Sequence, residues 1–219
     1  MKISVLDASS DGTAYENFSR VLDRTERFDV KEKEFPDDPD AVLVTGSRYA
    51  VYDDRDWIRP LLEKIREFSH DVPLMGVCFG HQAIAKALGG EVRHMGSYEI
   101  GYRQIRLGTS RIFDDMNSVE YPFSTHEDEV VSLPENFQKT AESDESIHGF
   151  EHREEHIYGI QFHPEFDLES VKDIIRDKDI SQKKKEALME EAEKENHRQA
   201  EKTQKALRNF EEIVEKEKS

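Results

Sequence analysis

The sequence predicts an α/β fold: an open, mostly parallel sheet with helices on both faces, plus a C-terminal helical extension. Three observations carry this expectation. Through the first 90 residues, short apolar runs alternate with amphipathic segments, the pattern of βαβ units. One apolar run, Val72 to Val77, ends at the single cysteine of the chain, and a helical pattern follows at once. Finally, residues 180–218 contain no glycine or proline and are dense in Glu, Lys, Gln and Ala, the composition of a long helix.

Taken in order, residues 2–7 (KISVLD) read as a first buried strand. Residues 13–25 place Phe18, Val21 and Leu22 on one face, which predicts a helix. Phe28 to Phe35 is expected as a second, more exposed strand, and Ala41 to Val44 as a third, ending in Thr45-Gly46-Ser47. Asp56 can cap a helix through Trp57, Ile58, Leu61, Leu62, Ile65 and Phe68. The run 72–77 is the next strand, and Gln82 to Leu88 is its helix, closed by Gly89 and Gly90.

Beyond Gly90 the pattern changes. Short strands at Gly101 to Leu107, Val119 to Thr125, Gln138 to Glu142, Gly149 to Glu151 and Ile157 to Phe162 predict antiparallel or mixed pairing at one side of the sheet. Two units are expected: a domain over residues 1–170 and a charged helical extension over 171–219. In the extension, Thr203, Leu207, Phe210 and Val214, with Ala200, Ala206 and Ile213 beside them, form a narrow apolar stripe. It either docks on its own domain or meets a second copy or a partner.

Charge and composition exclude several functions. The net charge is −17, and because residues 171–219 hold 13 acidic and 13 basic side chains, all of it falls in residues 1–170. Such a surface repels nucleic acid and anionic membranes, so neither is an expected partner. A high-salt cytoplasm is one explanation of the acidity, an ordinary acidic protein the other. A single cysteine forbids an internal disulfide. With no apolar run of membrane-spanning length and no signal-peptide pattern, a cytoplasmic location is expected.

The chemistry-bearing residues lie in two segments. Gly76-Val77-Cys78-Phe79-Gly80, between a buried strand and a helix, has the form of a nucleophile elbow. The turn sets the Cys78 sulfur at a helix N-terminus, where the dipole favours thiolate. Such a nucleophile needs a base, and the base an orienting group. In residues 158–166 (YGIQFHPEF) an apolar strand delivers His163, then Pro164 and Glu165. On an extended backbone His163 and Glu165 project to one side, so the carboxylate can hold one ring nitrogen while the other faces Cys78. His148, His152 and His156 recur every four residues, but Gly149 interrupts them and no metal site is expected. The run His126-Glu127-Asp128-Glu129 is expected to border the pocket with its acids in solvent. Tyr49 to Asp54 is expected as a wall of the site or as packing.

GVCFGHQ, with FHPE following about 85 residues later, resembles the class I (triad) glutamine amidotransferases. The likeness spans roughly residues 1–170. It is nearest to stand-alone domains of GMP-synthase type, and similar to the related γ-glutamyl peptidases. Residues 125–137 (THEDEVVSLPENF) resemble the S-H-x-D-x-V…L-P segment of the former, with Thr125 in the place of serine. The resemblance implies a flavodoxin-like sheet and a triad of Cys78 as nucleophile, His163 as base and Glu165 as its orienter. It implies an oxyanion hole from the backbone N–H groups of Phe79 and Gly46, although the family's turn usually has two glycines and a proline where this chain has Thr45-Gly46-Ser47. It also implies that Gln82 helps hold the α-amino and carboxylate groups of the substrate. The expected activity is hydrolysis of the glutamine side-chain amide, without cofactor, with ammonia passed to a synthetase partner. No phosphate-binding G-x-x-x-x-G-K-[ST] motif is present, so the acceptor is expected on a separate polypeptide. Hydrolysis of γ-glutamyl peptides by the same triad, or a non-catalytic regulatory role, are the alternatives.

Overall fold

The computed structural model describes residues 1–217. Its core is a nine-stranded mixed sheet, with strands β1 (Ile3–Asp7), β2 (Thr25–Asp29), β3 (Ala41–Val44), β4 (Leu74–Val77), β6 (Ile105–Leu107), β7 (Val119–Glu120), β9 (Phe137–Glu142), β10 (Ile147–His152) and β11 (Ile157–Ile160). The order is β2-β1-β3-β4-β11-β10-β9-β6-β7. The first five of these are parallel, and the remaining pairings are antiparallel. Two further strands, β5 (Glu91–Tyr102) and β8 (Phe123–Ser132), form a separate antiparallel sheet. This is the flavodoxin-like arrangement, with C-terminal helices added.

Strand alternation splits the core into two layers. Ile3, Val5, Leu43, Met75, Val77, Tyr158 and Ile160 face one side, while Leu6, Val42, Val44, Leu74 and Ile157 face the other. The first side is covered by α1 (Thr13–Val21) through Phe18 and Val21. The second is covered by α2 (Ile58–Phe68) and α3 (Phe79–Ala87). In α2 the residues Ile58, Leu61, Leu62, Ile65 and Phe68 are all buried, a stripe at helical spacing. Each such side chain contributes about 1.5–3 kcal/mol by leaving water.

The extension is not one uninterrupted helix. After α4 (Leu168–Asp177), capped by the Asp167 carboxylate accepting from the Ser170 N–H at 2.8 Å, come α5 (Gln182–Glu191), a π-helical turn (Ala192–Asn196), α6 (His197–Ala200), a 3₁₀ turn (Glu201–Gln204) and α7 (Lys205–Glu217). Position 218 of the expected helix lies outside the described residues. The apolar stripe is consumed within the chain: Leu207, Phe210 and Val214 are fully buried in the same layer as Ile3 and Val5. Asn209 fixes this docking by donating to the carbonyls of Ile112 and Asp114 at 3.0 and 2.8 Å. A partner contact through that stripe is therefore not available. A smaller cluster packs α4 and α5 (Val171, Ile175, Leu188) on Ile100 and Phe123 of the small sheet.

Three strand expectations need correction, and one strand escapes the sequence. Gly101 to Leu107 is broken into the end of β5 and β6, and Val119 to Thr125 into β7 and the start of β8. The second strand runs over Thr25–Asp29, and the segment after it turns into a 3₁₀ helix, where the Asp29 side chain accepts from the Lys31 N–H. The twelve-residue β5 is not expected from the sequence, because its polar, half-exposed residues give no period-two apolar signal.

Candidate active site

The elbow forms where β4 runs into α3. Cys78 takes φ 55° and ψ −106°, a conformation that costs a non-glycine residue on the order of 1–3 kcal/mol. The strain thus sits on the cysteine itself, while its flanking glycines serve another purpose. A Cβ on Gly76 would stand 2.3 Å from the Gly80 carbonyl oxygen, and one on Gly80 would stand 2.1 Å from the Val44 carbonyl oxygen. Backbone approaches backbone there, and no side chain fits. The Cys78 N–H donates to the Ile160 carbonyl at 2.8 Å, which ties the turn to the end of β11.

Three residues beyond that point stands His163. Its N–H donates to the Phe123 carbonyl at 3.0 Å, and its ring stacks on Phe166 with centroids 4.2 Å apart. Its Nδ1 lies 2.7 Å from Glu165 Oε1, with both side chains almost wholly buried. Nε2 has no hydrogen-bond partner among the described residues. That edge of the ring shares a space with Cys78. Seen from the point where a Gly46 Cβ would stand, His163 Cε1 is 3.1 Å away and Cys78 Cβ is 3.7 Å away. Burial acts to lower the imidazole pKa, but the charges of Glu165 and Cys78 and the hydrogen bond to Glu165 overcome this and push it up to about 10. These neighbours favour the charged form of the ring beside the sulfur.

The remaining expected residues gather around this pair. Gly46 follows the β3 end, in a turn anchored to the end of β1: the Ala8 N–H donates to Thr45 Oγ1 at 2.9 Å, and Ser47 Oγ donates to the Ala8 carbonyl at 2.8 Å. Phe79 opens α3, so its N–H belongs to the first turn, where backbone donors have no intrahelical acceptor. Gln82 is 3% exposed, and its amide nitrogen is committed elsewhere, donating to the Asp128 carbonyl at 3.0 Å and to Gln161 Oε1 at 3.1 Å. It braces β8 against the segment after β11.

Strand β8 supplies the facing wall. The Thr125 carbonyl lies 3.9 Å from Cys78 Sγ, and Tyr98 bonds to Thr125 Oγ1 from β5. Asp128 and Glu129 are not in solvent as expected: Asp128 accepts from Tyr52 Oη at 2.5 Å and Glu129 from Arg93, both largely buried. Tyr52 thus crosses from the loop after Gly46 to β8, whereas Tyr49 packs edge-on against Trp57. Only His148 of the spaced histidines is in the core. His152 meets Phe137 and accepts from the Glu155 N–H, while His156 pairs with Glu217. Gln161, bonded to Gln82, lies two residues before His163, whereas buried Glu99, behind this wall, carries no local sign of its place.

A cysteine at a strained strand-to-helix turn, faced by an imidazole on a carboxylate, is the elbow arrangement of an α/β protein. The chain belongs to the class I glutamine amidotransferases, whose family model matches residues 16–182. It is 33% identical over 141 residues to the glutamine-hydrolysing GMP synthase of Vibrio parahaemolyticus, a match covering 63% of this chain and 26% of that protein. It is 44% identical over 100 residues to one subunit of the glutamine-hydrolysing GMP synthase of Methanosphaera stadtmanae, covering 43% of this chain and 52% of the relative. The matched region is thus about a quarter of the first relative and about half of the second. Among solved structures, a glutamine amidotransferase of Thermotoga maritima superposes with a TM-score of 0.78 at 22% identity, over 98% of this chain and 97% of that one. One from Methylobacillus flagellatus gives 0.75 at 18%, over 99% and 94%. These two likenesses concern the fold. No helix among the described residues is long and apolar enough to cross a membrane.

Proposed function

We propose that the protein hydrolyses the side-chain amide of glutamine to glutamate and ammonia through a Cys78 thioester, and hands the ammonia to a separate synthetase chain in the cytoplasm. The observation that carries this reading is the His163 ring, held through Nδ1 by Glu165 at 2.7 Å, with Nε2 unpartnered among the described residues in the space it shares with Cys78.

The Cys78 thiolate attacks the γ-carbonyl carbon, and the tetrahedral oxyanion is met by the N–H groups of Phe79 and Gly46. Each such donor contributes about 3–4 kcal/mol to the transition state. The imidazolium of His163 protonates the departing nitrogen, the C–N bond breaks, and ammonia leaves. Now neutral, His163 takes a proton from water, whose oxygen attacks the thioester carbon. Glutamate departs as the C–S bond breaks, and the thiolate–imidazolium pair is restored. Glu165 keeps the ring in the Nδ1–H tautomer throughout. The substrate-side role of Gln82 is better read as positioning, since its amide nitrogen already holds Asp128 and Gln161. The Methanosphaera relative is named as one subunit of a GMP synthase, which supports delivery to a partner chain.

The test is turnover of glutamine against a γ-glutamyl dipeptide, alone and with a synthetase chain of GMP-synthase type, in the natural protein and in Cys78→Ala. Glutamine turnover lost in Cys78→Ala is the expected result. Turnover of the dipeptide alone, or turnover indifferent to Cys78, overturns the proposal.

A further inference from the structure

Behind the Thr125 wall lies a buried trio that amide hydrolysis does not use. Glu99 stands on β5, His126 on β8 and His148 on β10, so the small sheet and the central sheet meet there. All three side chains are 3% exposed or less. Glu99 Oε1 is their common point, 3.1 Å from His126 Nε2 and 3.8 Å from His148 Nε2. One ligand atom from each residue lies within 4.8 Å of the other two. The second carboxylate oxygen, Oε2, faces Arg103 Nε at 3.8 Å and leaves Oε1 to the histidines.

His126 and Glu99 need a proton or a cation between them. His126 Nδ1 is 3.0 Å from the Asp128 carbonyl, so it carries a hydrogen and donates. Its Nε2 then faces a carboxylate, acceptor against acceptor, unless a second proton or a cation lies between them. An imidazole donating Nδ1–H to a backbone carbonyl is also the way proteins orient metal ligands. His148 makes the second, independent point. It is wholly buried, and neither ring nitrogen has a hydrogen-bond partner among the described residues. An orphaned buried polar atom costs about 1–3 kcal/mol and calls for an explanation. A tetrahedral zinc ion with bonds near 2.0–2.2 Å keeps its ligand atoms about 3.3 Å apart, a separation the two measured distances bracket.

We propose that Glu99 Oε1, His126 Nε2 and His148 Nε2 bind one zinc ion, which clamps the β5–β8 sheet to the central sheet. The clamp fixes β8 at the two residues that touch the site, Thr125 beside Cys78 and Asp128 under Gln82. It does not rest on the hydrolytic reading, and is tested without it.

The full chain carrying Cys78→Ala, which removes the thiol as a competing ligand, is stripped with a chelator and titrated with Co²⁺. Visible d–d absorption, elemental analysis after Zn²⁺ reloading and thermal unfolding are read together. One equivalent is expected to bind with the absorption of a four- or five-coordinate site, and zinc to raise the midpoint by several degrees. Glu99→Gln and His148→Ala are each expected to weaken binding at least 100-fold, while His152→Ala leaves it unchanged. The folded Cys78→Ala chain decides the matter even if a cluster variant fails to fold. Substoichiometric binding, or binding indifferent to His148 and Glu99, overturns the site.

Discussion

Replacing Glu165 by Gln keeps the shape and the acceptor oxygen but removes the charge beside His163. The ring sits at about 10 instead of an ordinary 6.5, so the folded state favours the imidazolium by about 5 kcal/mol. Glu165 and Cys78 share that figure, and breaking one partner of a buried pair costs about 3–5 kcal/mol. A loss of about 3 kcal/mol is therefore expected at pH 6, or roughly 6–12 °C in the unfolding midpoint for a chain of this size. Because the folded pKa lies above the unfolded one, this stabilisation is fully present below pH 6.5. It is lost as pH rises through about 10. The assay is urea unfolding of the natural chain and Glu165→Gln at pH 6 and pH 10. The gap should narrow between the two. A gap that is absent at pH 6, or of the same size at both, refutes the ion-pair account.

The other expectations are quickly stated. Cys78→Gly should be more stable than Cys78→Ala by about 1–2 kcal/mol in denaturant melts, since only glycine occupies φ 55°, ψ −106° without strain; both should lack glutamine hydrolysis. Gly80→Ala forces a Cβ to within 2.1 Å of a carbonyl oxygen that no rotamer change can move, and should cost about 3 kcal/mol and most of the activity. Phe210→Ala should cost about 3–5 kcal/mol, and a chain ending at residue 170 should fail to give a cooperative melt, because α7 is part of the core.

What is legible in the sequence is what repeats locally. Short apolar runs mark β1, β3 and β4, helical apolar spacing marks their helices, and the two short motifs locate Cys78, His163 and Glu165. What escapes it is anything decided by distant pairing. Polar β5 is a strand because Ile100 and Gly101 pair with Thr125 and Ser124 and because Phe123, Val171 and Leu188 cover its far end. The C-terminal stripe is visible as Leu207, Phe210 and Val214, yet only the open face left by Ile3, Val5 and Leu43 decides that it turns inward. Glu99, an acid in a polar run, carries no local sign that it will be buried.

The same division explains how the site is held together. The elbow is a strained turn and cannot support itself, so its position depends on segments that contact it from outside. The Cys78 N–H is held by β11, the Gly46 turn by the end of β1, and His163 by the Phe123 carbonyl of β8. Gln82 then joins α3 to β8 and to Gln161 through one amide nitrogen. Two of these braces run through β8, which belongs to the small sheet. A change in how that sheet sits on the central one, at Glu99, His126 and His148, is therefore transmitted to the imidazole and to the wall beside the sulfur, although none of the three touches either.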